Sequence, residues 1–196
     1  MTLSPIRKKT HRMLKLILVR HGESEANIGN FINDDPCRDV ALTATGKAQS
    51  RLTGIALRDF HFDAAYSSEF LRTRQTASLI LADTACEIRV DARINERRSG
   101  MDGLPVEIFN DLVRPDPLQI KPPGGESFLE QMQRVGDFLA DLRVRHPDNA
   151  TLLIVSHENP IMAMRAVMGL APELAVREHI GNCEWRVLRL SALAVA

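Results

Sequence analysis

Short apolar runs alternate along the chain with longer segments in which apolar residues recur at helical spacing. The apolar runs predict five strands, at residues 14–19, 62–68, 87–94 (an edge strand), 150–157 and 184–190. The helical spacing predicts four helices, in segments 42–60, 69–83, 126–146 and 159–170. Strands that alternate with helices favour an α/β fold, a three-layer α/β/α sandwich with a mostly parallel sheet.

The ends of the helices and the remaining segments complete this organisation. Thr43 is the expected N-cap of the first helix, and the last helix should start from Asn159 as N-cap with Pro160 at its first position. Residues 97–125 are rich in Pro and Gly and have no clear period, which predicts a loop or lid insertion. We expect one domain over residues 13–196, preceded by a loose basic lead-in, residues 1–12, with Met13 as a plausible alternative start.

Composition narrows the class of protein. The 196 residues are 44% apolar and 26% charged, which is enough apolar material for a sizeable core. Lys and Arg number 25 and so do Asp and Glu, so net charge favours neither nucleic acid nor a membrane as partner. The three cysteines, Cys37, Cys86 and Cys183, form no C-x-x-C pair, and we expect a reducing cytoplasm. No apolar run reaches the roughly 18 residues of a membrane span.

Two of the predicted strands stop at a histidine. His21 follows the first strand and Arg20 precedes it, whereas His157 ends the fourth strand directly before a predicted helix. Ligands of open α/β sheets bind at the carboxyl ends of strands, and a helix N-terminus attracts anions. The two histidines and Arg20 therefore predict an anion site at this edge of the sheet.

Other chemistries lack their usual spacing. The histidines belong to no H-E-x-x-H or similarly tight cluster, so metal ligation is not favoured. The segment ATGKAQS is not a P-loop, because Ala41 stands where the first glycine belongs, and no G-x-S-x-G elbow occurs. An arginine-containing anion pocket with a histidine as nucleophile or base remains.

Five blocks of the sequence resemble the histidine phosphatase superfamily, also called the phosphoglycerate mutase-like family. They are LVRHGESEAN, YSSEFLRTRQTA, INERRSG, PGGESFLEQMQRV and LLIVSHENPI, in residues 18–161. The resemblance implies a phosphoglycerate mutase-like fold and a phosphoenzyme mechanism without metal or cofactor. It identifies His21 as the nucleophile and Glu96 as the proton donor. The phosphate would then bind to Arg20, Asn27, Arg72 and His157, with Arg74 as a weaker candidate than Arg72.

The expected pKa values fit these roles. Neighbouring arginines should lower the pKa of His21 and keep it neutral, and a bound phosphate dianion should raise the pKa of Glu96. Arg97 and Arg98 would act against that increase if they faced inward.

The sequence departs from the family pattern at several positions. Glu158 follows His157 where the family usually has glycine, and we expect its carboxylate to point outward, although a specificity role is an alternative. Ala26 stands where glycolytic mutases have tryptophan, and the chain is shorter than those mutases, which favours a phosphatase. The NERR segment nevertheless resembles mutases and would bring Arg97 to a substrate carboxylate.

The leading hypothesis is a metal-independent phosphoric monoester hydrolase of the histidine acid-phosphatase type, acting on a small phosphate ester through phospho-His21. A 2,3-bisphosphoglycerate-dependent phosphoglycerate mutase is the alternative, and a non-catalytic phosphate-binding module is a third reading. The residues 97–125 should set the substrate. An edge strand leaves a homodimer open, and no further partner is indicated.

Overall fold

A single sheet of five strands organises residues 13–191, the part of the chain that the computed structural model describes; the predicted lead-in, residues 1–12, lies outside it. The strand order is β3-β2-β4-β1-β5, and every neighbouring pair is parallel except β1 with β5. The mostly parallel sheet is thereby confirmed. The strands are β1 Met13–Arg20, β2 Ala64–Ser67, β3 Ile88–Val90, β4 Thr151–Ser156 and β5 Trp185–Ser191.

Helices cover both faces of this sheet. Along β1, side chains with even numbers (such as Leu16) pack on one face and those with odd numbers (such as Ile17) on the other, as the period of a strand requires. One core cluster joins β1 to α5 and α6, and the other joins it to α2 and α3, so the predicted three layers are present. The helices are α1 Glu25–Gly29, α2 Ala44–Leu57, α3 Leu71–Ile80, α4 Val106–Val113, α5 Phe128–Arg145, α6 Glu158–Val167 and α7 Pro172–Ala175.

Helix caps test the sequence predictions at single-residue level. Thr43 caps α2 as expected, since its hydroxyl accepts the Gly46 N–H at 3.0 Å. The predicted start of α6 is wrong: His157 is the N-cap, and Pro160 is the third helical residue. Proline is tolerated there because the first four N–H groups of a helix have no intrahelical partner. The helix consequently begins at once where β4 ends.

Three short helices were absent from the sequence prediction. α1 and α7 have five and four residues, too few to establish an apolar period. α4 lies inside the segment that was predicted as loop, although Val106, Phe109 and Val113 follow helical spacing on one face. The predicted strand 87–94 is shorter, and a 3₁₀ turn, Ala92–Ile94, follows it. Within residues 13–191, no helix combines the length and the apolar character that crossing a membrane requires.

Candidate active site

The site lies at the carboxyl ends of the two central strands. β1 and β4 pair in parallel with Arg20 opposite Ser156, so the residues that follow them leave the sheet side by side. The rings of His21 and His157 are 5.2 Å apart between centroids, at an interplanar angle of 69°. Both side chains are buried. The expected meeting of the two histidines is therefore confirmed.

Gly22, the second residue after β1, lies where the chain passes close to helix α2. A Cβ atom at this position would lie 2.5 Å from the carbonyl oxygen of Gly46, so no side chain fits between this loop and α2. Its N–H donates to the Thr76 hydroxyl on α3 at 3.0 Å. The glycine thus lets two helices close around the end of β1 and hold the neighbouring His21 in place.

His21 is held in one tautomer. Its Nδ1–H donates to the carbonyl oxygen of Gly22 at 2.8 Å, and its Nε2 accepts the Nε–H of Arg72 at 3.1 Å. Burial lowers the pKa of His21 well below its usual value, and the positive charges of Arg72 and Arg20 lower it further. The imidazole is consequently neutral, and its Nε2 carries no proton but a lone pair that accepts the Arg72 hydrogen bond. Burial is the larger cause, whereas the sequence had suggested only the arginines.

Arg72 is the centre of the hydrogen-bond network. It leaves the first turn of α3 and is only 4% exposed. Its guanidinium donates to the Asn33 side-chain and main-chain oxygens, to His21 Nε2 and, at 3.1 Å, to His157 Nδ1. Burial lowers the pKa of Arg72 to about 10, opposed by the carboxylate of Glu96. It therefore stays charged at neutral pH.

Arg74, the weaker candidate for this position, is exposed and does not line the cleft. Arg74 lies two residues after Arg72 on α3, so its side chain points to the other side of the helix. The structure thus agrees with the sequence preference for Arg72.

His157 lies behind Arg72 and is fully buried. Because an arginine N–H can only donate, His157 Nδ1 accepts from Arg72, and its Nε2–H donates to Ser68 Oγ at 2.8 Å. Ser68 is in turn 2.7 Å from the Thr73 hydroxyl. Burial lowers the pKa of His157 well below its usual value, with Arg72 as the next cause. In this tautomer His157 orients Arg72, and donating to a phosphate would require the proton on Nδ1.

The Arg20 guanidinium is held by protein groups at one of its terminal nitrogens. One terminal nitrogen, Nη1, donates to the carbonyl of Ile180 at 2.5 Å and lies 3.2 Å from the Glu158 carboxylate. Its Nε–H is buried and has no hydrogen-bond partner among the described residues. A buried donor without an acceptor is costly, so this group is suited to a ligand oxygen.

Glu158 contradicts the expectation that it points away from the site. Its side chain lines the cleft and, besides Arg20, contacts His179 Nδ1 at 2.6 Å and the Ile180 N–H at 3.1 Å. The nearby guanidinium offsets the unfavourable placement of a carboxylate in an anion site. Its position in the first turn of α6 is also favourable for negative charge.

Glu96 lines the same cleft from the loop that follows the 3₁₀ turn. One carboxylate oxygen accepts the Arg97 N–H at 2.8 Å. Burial raises the pKa of Glu96, and the negative charge of Glu158 adds to this; the Arg97 N–H, Arg72 and Arg20 oppose it. The pKa is therefore raised even without the bound phosphate that the sequence argument invoked.

Arg97 lines the cleft, but its guanidinium is engaged mainly with protein groups. Its guanidinium donates to the carbonyl oxygens of Glu126, Pro117 and Ile120 at 3.0–3.3 Å and lies 5.1 Å from the centre of the Phe109 ring. These three hydrogen bonds tie the lid segment to the domain. Arg98, by contrast, is largely exposed.

Arg134 is a functional candidate that sequence reasoning missed. From α5 its guanidinium donates to the carbonyl oxygens of Arg93, Asn95 and Glu96 and to both carboxylate oxygens of Glu126, at 2.6–3.2 Å. Glu126 is only 1% exposed. This buried pair fixes the backbone that carries Glu96. The PGGESFLEQMQRV block contains both Glu126 and Arg134, but nothing local indicates their contact with the loop that carries Glu96.

Two asparagines lie at the site, and the sequence analysis predicted only one of them. Asn33, which was not predicted, is buried and accepts from Arg72 through two oxygens. Asn27, which was predicted, lines the cleft, and its Oδ1 accepts from Ser24 and from Asn182 Nδ2. These donors orient the amide so that Nδ2, which has no partner among the described residues, is left to donate.

The cleft has a volume of about 350 Å³ and two chemically different ends. Of the predicted site residues, Arg20, His21, Asn27, Arg72 and Glu96 line it, and His157 lies directly behind. Six apolar side chains also line the cleft and are called here the apolar wall, Phe31, Val106, Phe109, Val113, Met162 and Val176; the polar Asn110 and Asn159 line it as well. Within residues 13–191, no group of three or more His, Cys, Asp or Glu side chains is arranged to hold a metal ion.

Comparison with known proteins agrees with this geometry. Residues 16–193 match the model of the histidine phosphatase superfamily (branch 1). The chain is 37% identical to phosphoserine phosphatase 1 of Hydrogenobacter thermophilus, over 78% of this chain and 74% of that protein. It is 34% identical to a 2,3-bisphosphoglycerate-dependent phosphoglycerate mutase of Cytophaga hutchinsonii, over 76% and 74%.

Among solved structures, the alpha-ribazole phosphatase of Shigella flexneri superimposes with a TM-score of 0.77 at 26% identity, covering 88% of this chain and 89% of that one.

Proposed function

The chain belongs to the histidine phosphatase superfamily and so acts on phosphate esters, and we propose that its reaction is hydrolysis of a phosphate monoester through a phosphohistidine at His21 Nε2. The observation that carries this proposal is the state of His21. Its Nδ1 proton is bound to the Gly22 carbonyl, so a buried, neutral imidazole keeps its Nε2 lone pair beside Arg72. An activated nucleophile of this kind needs no metal ion.

In the first step, His21 Nε2 forms a bond to phosphorus while the bond between phosphorus and the ester oxygen breaks. Glu96, whose pKa burial raises, transfers a proton to the departing oxygen, and the alcohol leaves. The Arg72 guanidinium, now 3.1 Å from Nε2, is placed to bind the non-bridging oxygens as charge spreads over them.

In the second step, the Glu96 carboxylate accepts a proton from a water molecule whose oxygen attacks phosphorus. The phosphorus–Nε2 bond breaks, inorganic phosphate leaves, and His21 is neutral again with Glu96 protonated. Each proton that Glu96 gives in the first step is regained in the second. Two donors that have no partner among residues 13–191, Arg20 Nε–H and Asn27 Nδ2–H, supply further hydrogen bonds to the phosphate.

The mutase remains the second candidate, because the Cytophaga relative carries that name. A mutase would form the same phosphohistidine but return the phosphoryl group to a second hydroxyl. Ala26 lines the cleft where, by the family resemblance, glycolytic mutases have tryptophan, and this supports hydrolysis.

The test is release of inorganic phosphate from p-nitrophenyl phosphate and butyl phosphate in excess EDTA. We expect steady release and an acid-labile phosphoenzyme on rapid quenching. Conversion of 3-phosphoglycerate to 2-phosphoglycerate only when 2,3-bisphosphoglycerate is present, without phosphate release from any ester, would establish the mutase instead. Loss of activity in EDTA that added metal restores would contradict the metal-independent mechanism.

The cytoplasmic location and the homodimer stay predictions. Sedimentation at several protein concentrations would test the homodimer directly.

A further inference from the structure

We propose that the substrate is the phosphate monoester of an uncharged, largely apolar alcohol, and that the cleft rejects esters whose alcohol carries a carboxylate. The inference rests on the proposed function, since it concerns the part of the ester that leaves. It is carried by the residues that line the cleft beyond the phosphate end.

The apolar wall comes from four separate parts of the chain. Three of its members, Val106, Phe109 and Val113, form one face of α4, and Met162 lies one turn after Glu158 on α6. Phe31 and Val176 complete it from the loops after α1 and α7. The alcohol of the ester, which leaves the phosphorus atom that His21 attacks, then lies against these side chains, where burial stabilises an apolar group and destabilises an isolated charge.

The cations that line the cleft are already engaged with protein groups or are assigned to the phosphate. Within residues 13–191, three arginines and no lysine line the cleft. Arg72 donates to His21, His157 and Asn33, and Arg97 donates to three carbonyl oxygens. Arg20 is paired with Glu158 through Nη1, and we assign its other N–H groups, including the buried Nε–H, to the phosphate.

The negative charge of Glu158 further disfavours a substrate that carries a carboxylate. Its carboxylate lies in the cleft, 3.2 Å from Arg20, and is held by the Ile180 N–H and His179. A second negative charge on the substrate would meet this fixed charge in a partly buried site. Selection against the wrong ligand by repulsion is as effective as attraction to the right one. Glu158 thus acts as a specificity-determining residue.

The test uses three esters of the same four-carbon chain: butyl phosphate, the phosphate ester of 4-hydroxybutanoate, and 4-aminobutyl phosphate. They share a primary leaving group and differ in the terminal group. We expect kcat/KM for the butyl ester to exceed that of the carboxylate ester on the order of 100-fold, which is the usual cost of an unpaired buried charge. Phosphoserine and 3-phosphoglycerate should also be poor substrates.

A pair of lysine substitutions provides the matched control. Val176→Lys places a cation in the apolar wall and should narrow the ratio of the butyl to the carboxylate ester by about 10-fold. Leu174→Lys makes the same change two residues away, at an exposed side chain outside the cleft, and should leave the ratio unchanged. Glu158→Gln should narrow the ratio in the same direction as Val176→Lys.

The outcomes are distinct. Equal or better turnover of the carboxylate ester would overturn the inference while leaving hydrolysis established. A preference for the 4-aminobutyl ester would overturn it as well, because Glu158 would then be recognising a cation. Failure to release phosphate from any of these esters or from p-nitrophenyl phosphate would instead refute the proposed function.

Discussion

The two ends of the cleft are built on different principles. At the phosphate end, His21, Arg72 and His157 are each less than 5% exposed, and hydrogen bonds join Arg72 on α3 to the two histidines that directly follow β1 and β4. At the other end, the apolar wall is half-exposed in places and depends largely on α4, a two-turn helix. A rigid polar network fits chemistry that is common to many esters, whereas a small apolar element allows selection among alcohols.

The largest effect should come from removing the nucleophile. His21→Ala eliminates the nitrogen that bonds to phosphorus, and we expect kcat to fall by about 10⁴-fold or more, with no phosphoenzyme on quenching. His61→Ala, at an exposed histidine outside the cleft, is the control and should retain full activity. Substantial turnover by the His21 variant would mean that another residue is the nucleophile.

Glu96→Gln should have the next largest effect, and it should depend on the ester. Without a proton donor, kcat/KM for butyl phosphate should fall about 10²- to 10³-fold. The p-nitrophenolate ion leaves without protonation, so its release should persist as a burst while the phosphoenzyme accumulates. The exposed Glu87→Gln serves as control. An equal loss with both esters would show that Glu96 does not protonate the leaving group.

At the other end, Phe109→Ala should act on binding alone. The ring belongs to the apolar wall and touches no reacting atom, so we expect KM for butyl phosphate to rise about 10-fold with kcat within a factor of two. Ile108→Ala alters the neighbouring residue of α4, which is 45% exposed and outside the wall. It should change neither constant. A large fall in kcat for Phe109→Ala would mean that the two ends are coupled.

The smallest effect concerns stability. Because burial lowers the pKa of His157, the unfolded chain binds a proton near pH 6.5 that the folded protein binds only at lower pH. Stability must therefore fall as the pH drops below about 6.5, by about 1.4 kcal/mol per pH unit for each such histidine. His157→Asn should reduce this slope by that amount in urea unfolding between pH 6.5 and 5.

The exposed His61→Asn is the matched control for this measurement and should leave the slope unchanged. A slope for His157→Asn equal to that of the native protein would mean that the native His157 is protonated.

Much of the phosphate end could be predicted because its residues follow strand ends or match family blocks. His21 and His157 directly follow β1 and β4, and parallel neighbours bring such positions together. Arg72 and Glu96 were identified only by the resemblance, since nothing in their local spacing relates them to a histidine. The roles of these residues stay proposals until the variants are measured.

Other features lay beyond local reasoning. The orientation of Glu158 depends on Arg20, which is 138 residues away in the chain, and on the Ile180 N–H. The contacts of Arg134 with Glu126 and the Glu96 backbone join α5 to the loop before it. α4 was missed because the Pro and Gly around it obscure two turns of apolar spacing.

Local periodicity along the chain was enough to predict the alternating strands and helices, and with them the parallel sheet and the two histidines at strand ends. Which charges face the cleft, and which are already paired, became visible only in the folded protein. Pairing depends on side chains that meet from distant elements, and their burial sets both the pKa values and the free donors. The tertiary structure consequently separates the polar end of the cleft, which we propose binds the phosphate, from the apolar wall, which we propose selects the alcohol.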